Sequence, residues 1–390
     1  MDTPGRVDTV LIKTASRCNF DCSYCYVYQG SDQSWRGQPK RMSQAMAVAL
    51  RNRLVEQSKR QQAGFAIVLH GGEPLLLGFG GLALLLRGIR NRLSPDRYPI
   101  SLQTNGALLS GRLLDLFAET HTSVSVSIDG PAQANDLARL DHRGKSTFAS
   151  TLRGIELLAA HPASRFLFAG TLTVVQPAID PVLVYEFLKD LGAPSMDFLL
   201  QDGNHDRLPL GKESFESTEY GKWLIGLLDL YLADSCPVPI RLFDDTIKLC
   251  LGGASQKEGQ GKERHGILII ETDGEIRKND TLRASFEGAD RFSAQWNITD
   301  TSLATVLSSQ EYLSYTNMQV PVSRECMDCS LLEVCGGGMP LYRWSADRGY
   351  DNPSAYCLDH AFFINHAVSR LRELGLGGSL IPSLSISHVS

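Results

Sequence analysis

Two rhythms of apolar and polar positions take turns along the first 233 residues. Short, nearly continuous apolar runs stand at 8–13, 65–70, 100–104, 123–128, 166–175 and 196–200, as expected of strands buried on both faces. Between them, apolar residues recur at helical spacing over 43–60, 82–93, 108–119, 147–160 and 181–191. Six strand-then-helix units predict a parallel sheet with helices outside it. The sheet is either open and doubly wound or a partial barrel, and periodicity does not separate the two. In both architectures the functional loops lie at the carboxyl ends of the strands. A helix over 217–232 closes this first domain, residues 1–233, and Asp234-Ser235-Cys236-Pro237-Val238-Pro239 reads as a rigid linker. A second domain, 234–375, holds a glycine- and charge-rich stretch at 252–264 that reads as mobile. A hairpin follows, with strands at 267–271 and 275–277. Residues 376–390 read as a flexible tail.

Composition changes this picture little. The chain has 390 residues, a net charge of −5 and 43% apolar residues, so no basic field argues for nucleic acid or an anionic membrane. No run approaches the ~18 apolar residues of a membrane span, and the N-terminus lacks the apolar core of a signal peptide. The expected location is the cytoplasm. Nine cysteines are too many to be incidental there and are unsuited to a disulfide framework, because cytosolic thiols stay reduced. Seven of them fall into two clusters, Cys18 to Cys25 and Cys326 to Cys357, which points to metal. Cys250 and Cys236 stand apart, as buried small hydrophobes would.

The chemistry-bearing residues sit where the rhythm places loops. After the first strand come Cys18, Cys22 and Cys25 at C-x3-C-x2-C. Three thiolates on one loop can hold three irons of a [4Fe–4S] cube and leave the fourth open, whereas a zinc knot needs a fourth ligand. After the second strand comes His70-Gly71-Gly72-Glu73-Pro74, where two glycines permit close backbone approach and Glu73 is an anionic acceptor. The third and fourth strands end in Gln103-Thr104-Asn105-Gly106 and Ser127-Ile128-Asp129-Gly130. The sixth runs into Gln201-Asp202-Gly203-Asn204-His205, whose Asp202 and His205 are candidate proton acceptors. Far along the chain stand Cys326, Cys329 and Cys335, then Gly336-Gly337-Gly338, then Cys357. Four thiolates can saturate a second cube suited to electron transfer, and the same four suit zinc.

The first cysteine motif, together with the G-G-E-P, T-N-G and S-I-D-G strand ends, resembles the radical S-adenosylmethionine (SAM) enzymes. That resemblance implies a partial (β/α)6 TIM-like barrel. It implies an open-iron [4Fe–4S] cluster that binds SAM and cleaves it reductively to a 5′-deoxyadenosyl radical. It assigns Gly71, Gly72, Glu73, Gln103, Asn105 and Ser127 to SAM, with Glu73 on the amino group, and Arg139, or else Arg143, on the carboxylate. The C-terminal cysteines resemble the SPASM extension of peptide-modifying members. There, a full pattern serves two auxiliary clusters, and here the positions equivalent to two ligands of the first are Asn279 and Met339. The resemblance therefore implies one auxiliary [4Fe–4S] cluster, on Cys326, Cys329, Cys335 and Cys357. Tyr26-Val27-Tyr28, Asp197-Phe198-Leu199-Leu200 and Asp351-Asn352-Pro353-Ser354-Ala355-Tyr356-Cys357 resemble the FxsB-type maturases. These include enzymes that form cyclophanes by joining an aromatic ring carbon to a nearby β-carbon in a ribosomally made precursor peptide. The implied partners are that peptide and an electron donor such as flavodoxin or ferredoxin. Thioether bonding, epimerisation, formylglycine formation and a non-catalytic electron carrier are the other readings. With about ten residues before the first strand, the peptide leader is expected to meet the core, a strand edge or a separate protein.

Overall fold

The computed structural model of the protein describes residues 5–384. β1 (Thr9–Ala15) leads through the cysteine loop into α1 (Gln44–Arg60), which starts where the Ser43 hydroxyl accepts from the Met46 amide. Then follow β2 (Ala66–Gly71), α2 (Gly78–Arg90), β3 (Ile100–Thr104), α3 (Gly111–Glu119), β4 (Thr122–Ser127), α4 (Phe148–Ala160), β5 (Phe168–Val174), α5 (Pro181–Asp190) and β6 (Met196–Leu199). The six strands lie side by side in chain order and all pair in parallel. With no reversal of order there is no switch point. Right-handed crossovers then place every helix on the same face, which makes a partial barrel and excludes the doubly wound sheet. Every strand begins and ends within about two residues of its apolar run. α2 starts four residues early because the 3-10 turn Pro74–Leu77 feeds straight into it.

The sheet continues past the boundary expected at residue 233. After α6 (Glu219–Ala233) and α7 (Arg241–Cys250), β7 (Ile267–Ile270) pairs in parallel with β1, matching Thr9 to Ile267 and Leu11 to Ile269. β8 (Ile276–Arg277) returns antiparallel beside it. α8 (Cys357–Glu373) packs on α6, where the Lys212 ammonium meets Asp359 at 2.5 Å and the Gly221 amide donates to the same carboxylate at 2.8 Å. Two segments expected to be loose are packed. Within 252–264, Lys257 donates to Asp197 at 2.8 Å and the Gly261 amide to the Val334 carbonyl at 3.0 Å. Beyond residue 376, the Ile381 amide donates to the Cys250 carbonyl at 3.0 Å and Leu384 is buried. The rest of the expected tail lies outside the described residues.

Charge is buried along the seam between the barrel and the C-terminal extension. Lys13 of β1 lies 2.9 Å from Asp280 and 3.5 Å from Glu271, and Arg283 pairs with Glu271 and, at 2.7 Å, with Asp290. All five side chains are almost wholly inaccessible. Burial alone would raise the Asp280 pKa, but Lys13, His70 and Arg283 outweigh it and hold the carboxyl well below the usual range. Replacing Lys13 by Met leaves two carboxylates buried with one partner fewer. The expected loss is about 3–5 kcal/mol, read as a lowered urea midpoint in the cluster-loaded protein.

Candidate active site and auxiliary cysteine site

The cysteine loop leaves the carboxyl end of β1 and is laced down on both sides. Arg17 donates to the carbonyls of Trp35 (2.8 Å) and Arg36 (3.2 Å), while the Asp21 and Ser23 amides donate to Leu140 (2.8 Å) and Ala138 (3.0 Å). The two glycines after β2 serve the chain itself. A Cβ on Gly71 would stand 2.2 Å from the Ala15 carbonyl oxygen, and one on Gly72 would stand 1.9 Å from the Tyr28 hydroxyl, so only glycine lets this turn pass beneath the loop. Cys18, Cys22 and Cys25 face one hollow. Burial, with Glu73 adding to it, pushes the Cys18 thiol up to about 12, and burial pushes the Cys22 thiol up to about 11 against the opposing charge of Arg139. Partly covered thiols that resist ionisation become thiolates only beside a strong cation, which is what bound iron provides.

Glu73 is fully buried and does not line the hollow. It accepts from Leu75 N (3.0 Å), Thr104 Oγ1 (2.7 Å) and Asn105 N (2.9 Å), so it braces the end of β3 from below. Asn105, held there, reaches Asn19 Oδ1 at 2.8 Å and Cys18 Sγ at 3.8 Å through its side-chain amide. Gln103 donates to Ser127 Oγ at 2.7 Å, and both side chains line the hollow. Arg139 lines it as well. One guanidinium nitrogen donates to Tyr24 Oη at 2.8 Å, Tyr24 donates on to Asp129 Oδ2 at 2.8 Å, and Arg139 Nε has no partner among the described residues. Arg143, the sequence alternative, is exposed.

The hollow opens into a cavity of about 220 Å³ under the barrel mouth, walled by Leu172, Val174, Leu199, Met339 and Tyr342. Asp202 lies on this cavity, and its carboxylate has no hydrogen-bond partner among the described residues. Burial raises it to about 7; Arg207 lowers it and Asp280 raises it further. His205 is elsewhere: it stacks on Phe215, and its Nε2 lies 2.8 Å from the Pro353 carbonyl. It is a structural histidine, because a polar run at a strand end does not tell which side chains turn inward.

Sequence reasoning passed over Tyr24, His70, Asp280 and Tyr342. Tyr24 and His70 carried a signal, since both lie inside motifs. His70 lines the cavity, and burial lowers its pKa against the opposing pull of Asp280. Asp280 directly follows the vacated ligand position Asn279 and accepts from Tyr26 Oη at 2.8 Å. Asn279 itself pairs with Glu258, whose carboxyl burial raises to about 7, and Met339 packs against Gly259. A carboxyl, an amide and a thioether thus stand where the SPASM resemblance expects ligands of a first auxiliary cluster. Cys250, at the end of α7, lies in the apolar core.

Cys326, Cys329, Cys335 and Cys357 come together at the far side of the extension. Burial and mutual repulsion push Cys335 up to about 12 and Cys357 up to about 11. Gly336, Gly337 and Gly338 all take left-handed φ (62°, 78° and 68°), and a Cβ on Gly336 would stand 1.9 Å from the Gly261 carbonyl oxygen. The turn after Cys335 therefore requires glycine. Cys335 Sγ lies 3.7 Å from His360 Nδ1. Among the described residues no three His, Cys, Asp or Glu side chains close on a single metal ion. Thiolates around a cube bind different irons and need not converge in that way.

A singly wound parallel sheet with an open three-cysteine loop on its first strand defines the radical SAM class. The family model of the radical SAM superfamily matches residues 12–165 of the chain. The chain is 24% identical over 370 residues to a cysteine-type anaerobic sulfatase-maturating enzyme of Clostridium perfringens, covering 93% of this chain and 97% of that one. A serine-type anaerobic sulfatase-maturating enzyme of Klebsiella aerogenes is 27% identical over 343 residues, 83% of this chain and 77% of that one. A solved structure described as native anSMEcpe with bound AdoMet and Cp18Cys peptide superimposes with a TM-score of 0.79 at 23% identity, over 95% of this chain and 99% of that one.

The family's cofactors are a [4Fe–4S] cluster and SAM, and the open loop and the unpaired Arg139 Nε fit them. Anaerobically reconstituted protein is expected to hold about eight irons, two cubes, per chain. Replacing Cys18, Cys22 and Cys25 by Ala, or the four C-terminal cysteines by Ala, should leave about four in each case, by iron and sulfide analysis.

Proposed function

We propose that the chain removes two hydrogens from a ribosomally made precursor peptide and joins an aromatic ring carbon to a nearby β-carbon, forming a cyclophane. The observation that carries this reading is the cavity, sharing its lining with the cysteine hollow, that brings Cys25, Arg139 and Asp202 together. When bound, the open cluster with SAM supplies a hydrogen-abstracting radical, and the auxiliary cluster supplies an electron acceptor. Arg139 holds the SAM carboxylate through a charge-assisted bond, and Gln103 and Ser127 hold the ribose. Asn105 steadies Cys18, and Glu73, from beneath, fixes Asn105. The apolar wall of Leu172, Val174, Leu199 and Met339 keeps water from the reacting carbon. After the new carbon–carbon bond forms, the Asp202 carboxylate takes the proton that the ring must lose, and Cys326, Cys329, Cys335 and Cys357 would hold the group that accepts its electron.

Formylglycine formation on a sulfatase is the second reading, favoured by similarity to sulfatase-maturating enzymes along nearly the whole chain. Asn279 and Met339, in place of auxiliary ligands, weigh against it. Mass spectrometry of a co-expressed precursor peptide decides. A loss of two hydrogens confined to a segment that resists fragmentation supports the crosslink, whereas a product that reacts with an aldehyde reagent supports formylglycine and sinks the cyclophane.

Two further outcomes are expected. Because only the ionised carboxyl accepts a proton, kcat/KM should rise with pH through about 7 and level off above it. Asp202→Asn should remove that limb and slow turnover about 10²–10⁴-fold. Arg139→Gln should weaken SAM binding about 10–100-fold in equilibrium dialysis, while Arg143→Gln leaves it unchanged.

A further inference from the structure

The cysteine loop lies between two strips of surface that share a charge pattern unlike the molecule as a whole. One strip, 34–41, is tied to it by Arg17 and by the Ser16 amide, which donates to the Lys40 carbonyl at 3.2 Å. The other, 138–146, is tied to it by a bridge between Phe20 and Asp141 and by His142 Nε2, 3.0 Å from the Cys18 carbonyl. The first strip exposes Arg36, Lys40 and Arg41, and the second exposes Arg143 and Lys145. The strips hold one acid, Asp141, set against those five exposed cations. Its carboxyl is held low first by the amides of Lys145 and Arg143 and then by the charges of the same two residues. Asp141 caps the amides of Arg143 and Lys145 at 2.8 and 2.9 Å, Asp136 accepts from Ser146 at 2.8 Å, and Asp21 accepts from Gln29 at 2.8 Å. The exposed cations are left without carboxylate partners among the described residues, on a chain of net charge −5. Leu137, 54% exposed, adds an apolar contact beside the second strip.

The face around the auxiliary cysteines is built differently. Cys329 and Cys357 are exposed there, but the surrounding charges satisfy one another: Arg324 with Asp328 at 3.5 Å, Arg348 with Glu325 at 3.8 Å, and Lys262 with Glu333. One cysteine site is therefore flanked by an excess of positive charge and the other by paired charge. The first must receive an electron from outside before SAM can be cleaved.

We propose that Arg36, Lys40, Arg41, Arg143 and Lys145 form the docking rim for an acidic, low-potential one-electron carrier protein that reduces the cluster held by Cys18, Cys22 and Cys25. This rests on the radical SAM reading of that loop. The carrier gives up one electron and the cluster gains it, with no bond made or broken. Steering by unpaired surface charge speeds encounter of opposite charges and is screened by salt. Phosphate or nucleic acid would meet the same cations, but neither brings an electron to the loop.

The test uses reconstituted protein with Cys326, Cys329, Cys335 and Cys357 replaced by Ala, so that one cluster is observed. Bleaching of its visible absorbance is followed after mixing with fully reduced flavodoxin, and separately with photoreduced 5-deazariboflavin, a neutral small reductant. The triple change Lys40→Glu, Arg143→Glu and Lys145→Glu is expected to slow reduction by flavodoxin at least about tenfold and to flatten its salt dependence, with the deazaflavin rate unchanged. Arg324→Glu, on the other face, should alter neither rate. Three outcomes would overturn the proposal: flavodoxin reducing the triple variant at the parent rate, an equal slowing by Arg324→Glu, or a matching loss with deazaflavin, which would make these residues part of the cluster's support. Neutral Gln substitutions at the same positions give a milder series should the reversals fail to fold. The measurement needs no peptide, so absence of any peptide modification would sink the cyclophane reading and leave this result standing.

Discussion

The ion pair between Lys13 and Asp280 is the constraint on which the rest of the site depends. A buried charge is costly unless paired, and these two come from elements separated by most of the chain. Lys13 projects from the strand that launches the cysteine loop, and Asp280 stands just after the hairpin that extends the sheet. Pairing fixes the extension against the barrel. It also fixes Tyr26, bonded to the same carboxylate and adjacent to Cys25. The position of a cluster ligand is thereby tied to a residue about 250 positions later.

Much of this was legible in the sequence, and the reasons are local. Strand ends and helix starts follow from apolar period and caps, as at Ser43. The three-cysteine loop follows from spacing alone. What escaped depends on which way side chains turn and on contacts between distant segments. Glu73 was expected to face a ligand and instead supports β3 from beneath, because three donors converge on it there. Asp202 and His205, three residues apart in one polar run, part company: one turns to the cavity and the other stacks under Phe215. The pairing of β7 with β1 had no local signature, since four apolar residues after a glycine-rich stretch look the same on an edge or in a hairpin.

Where the SPASM resemblance expects ligands of a first auxiliary cluster, the chain holds a packed polar group instead. Asn279, Glu258 and Met339 do not leave a void; they pack and bond, and they draw a stretch that reads as mobile down onto the core. The residue after Asn279 remains the ionised Asp280.

The two cysteine sites also differ in how they meet the outside. Cys18, Cys22 and Cys25 are each partly covered, whereas Cys329 and Cys357 stand at the surface. Oxidants act first on accessible thiolates, so damage by air should be ordered in time. Before iron is loaded, oxidation would therefore take Cys329 and Cys357 first and spare the three-cysteine loop. Under the proposed function such protein would still spend its cosubstrate without finishing the product, a failure that measurements of cosubstrate cleavage alone would record as full health.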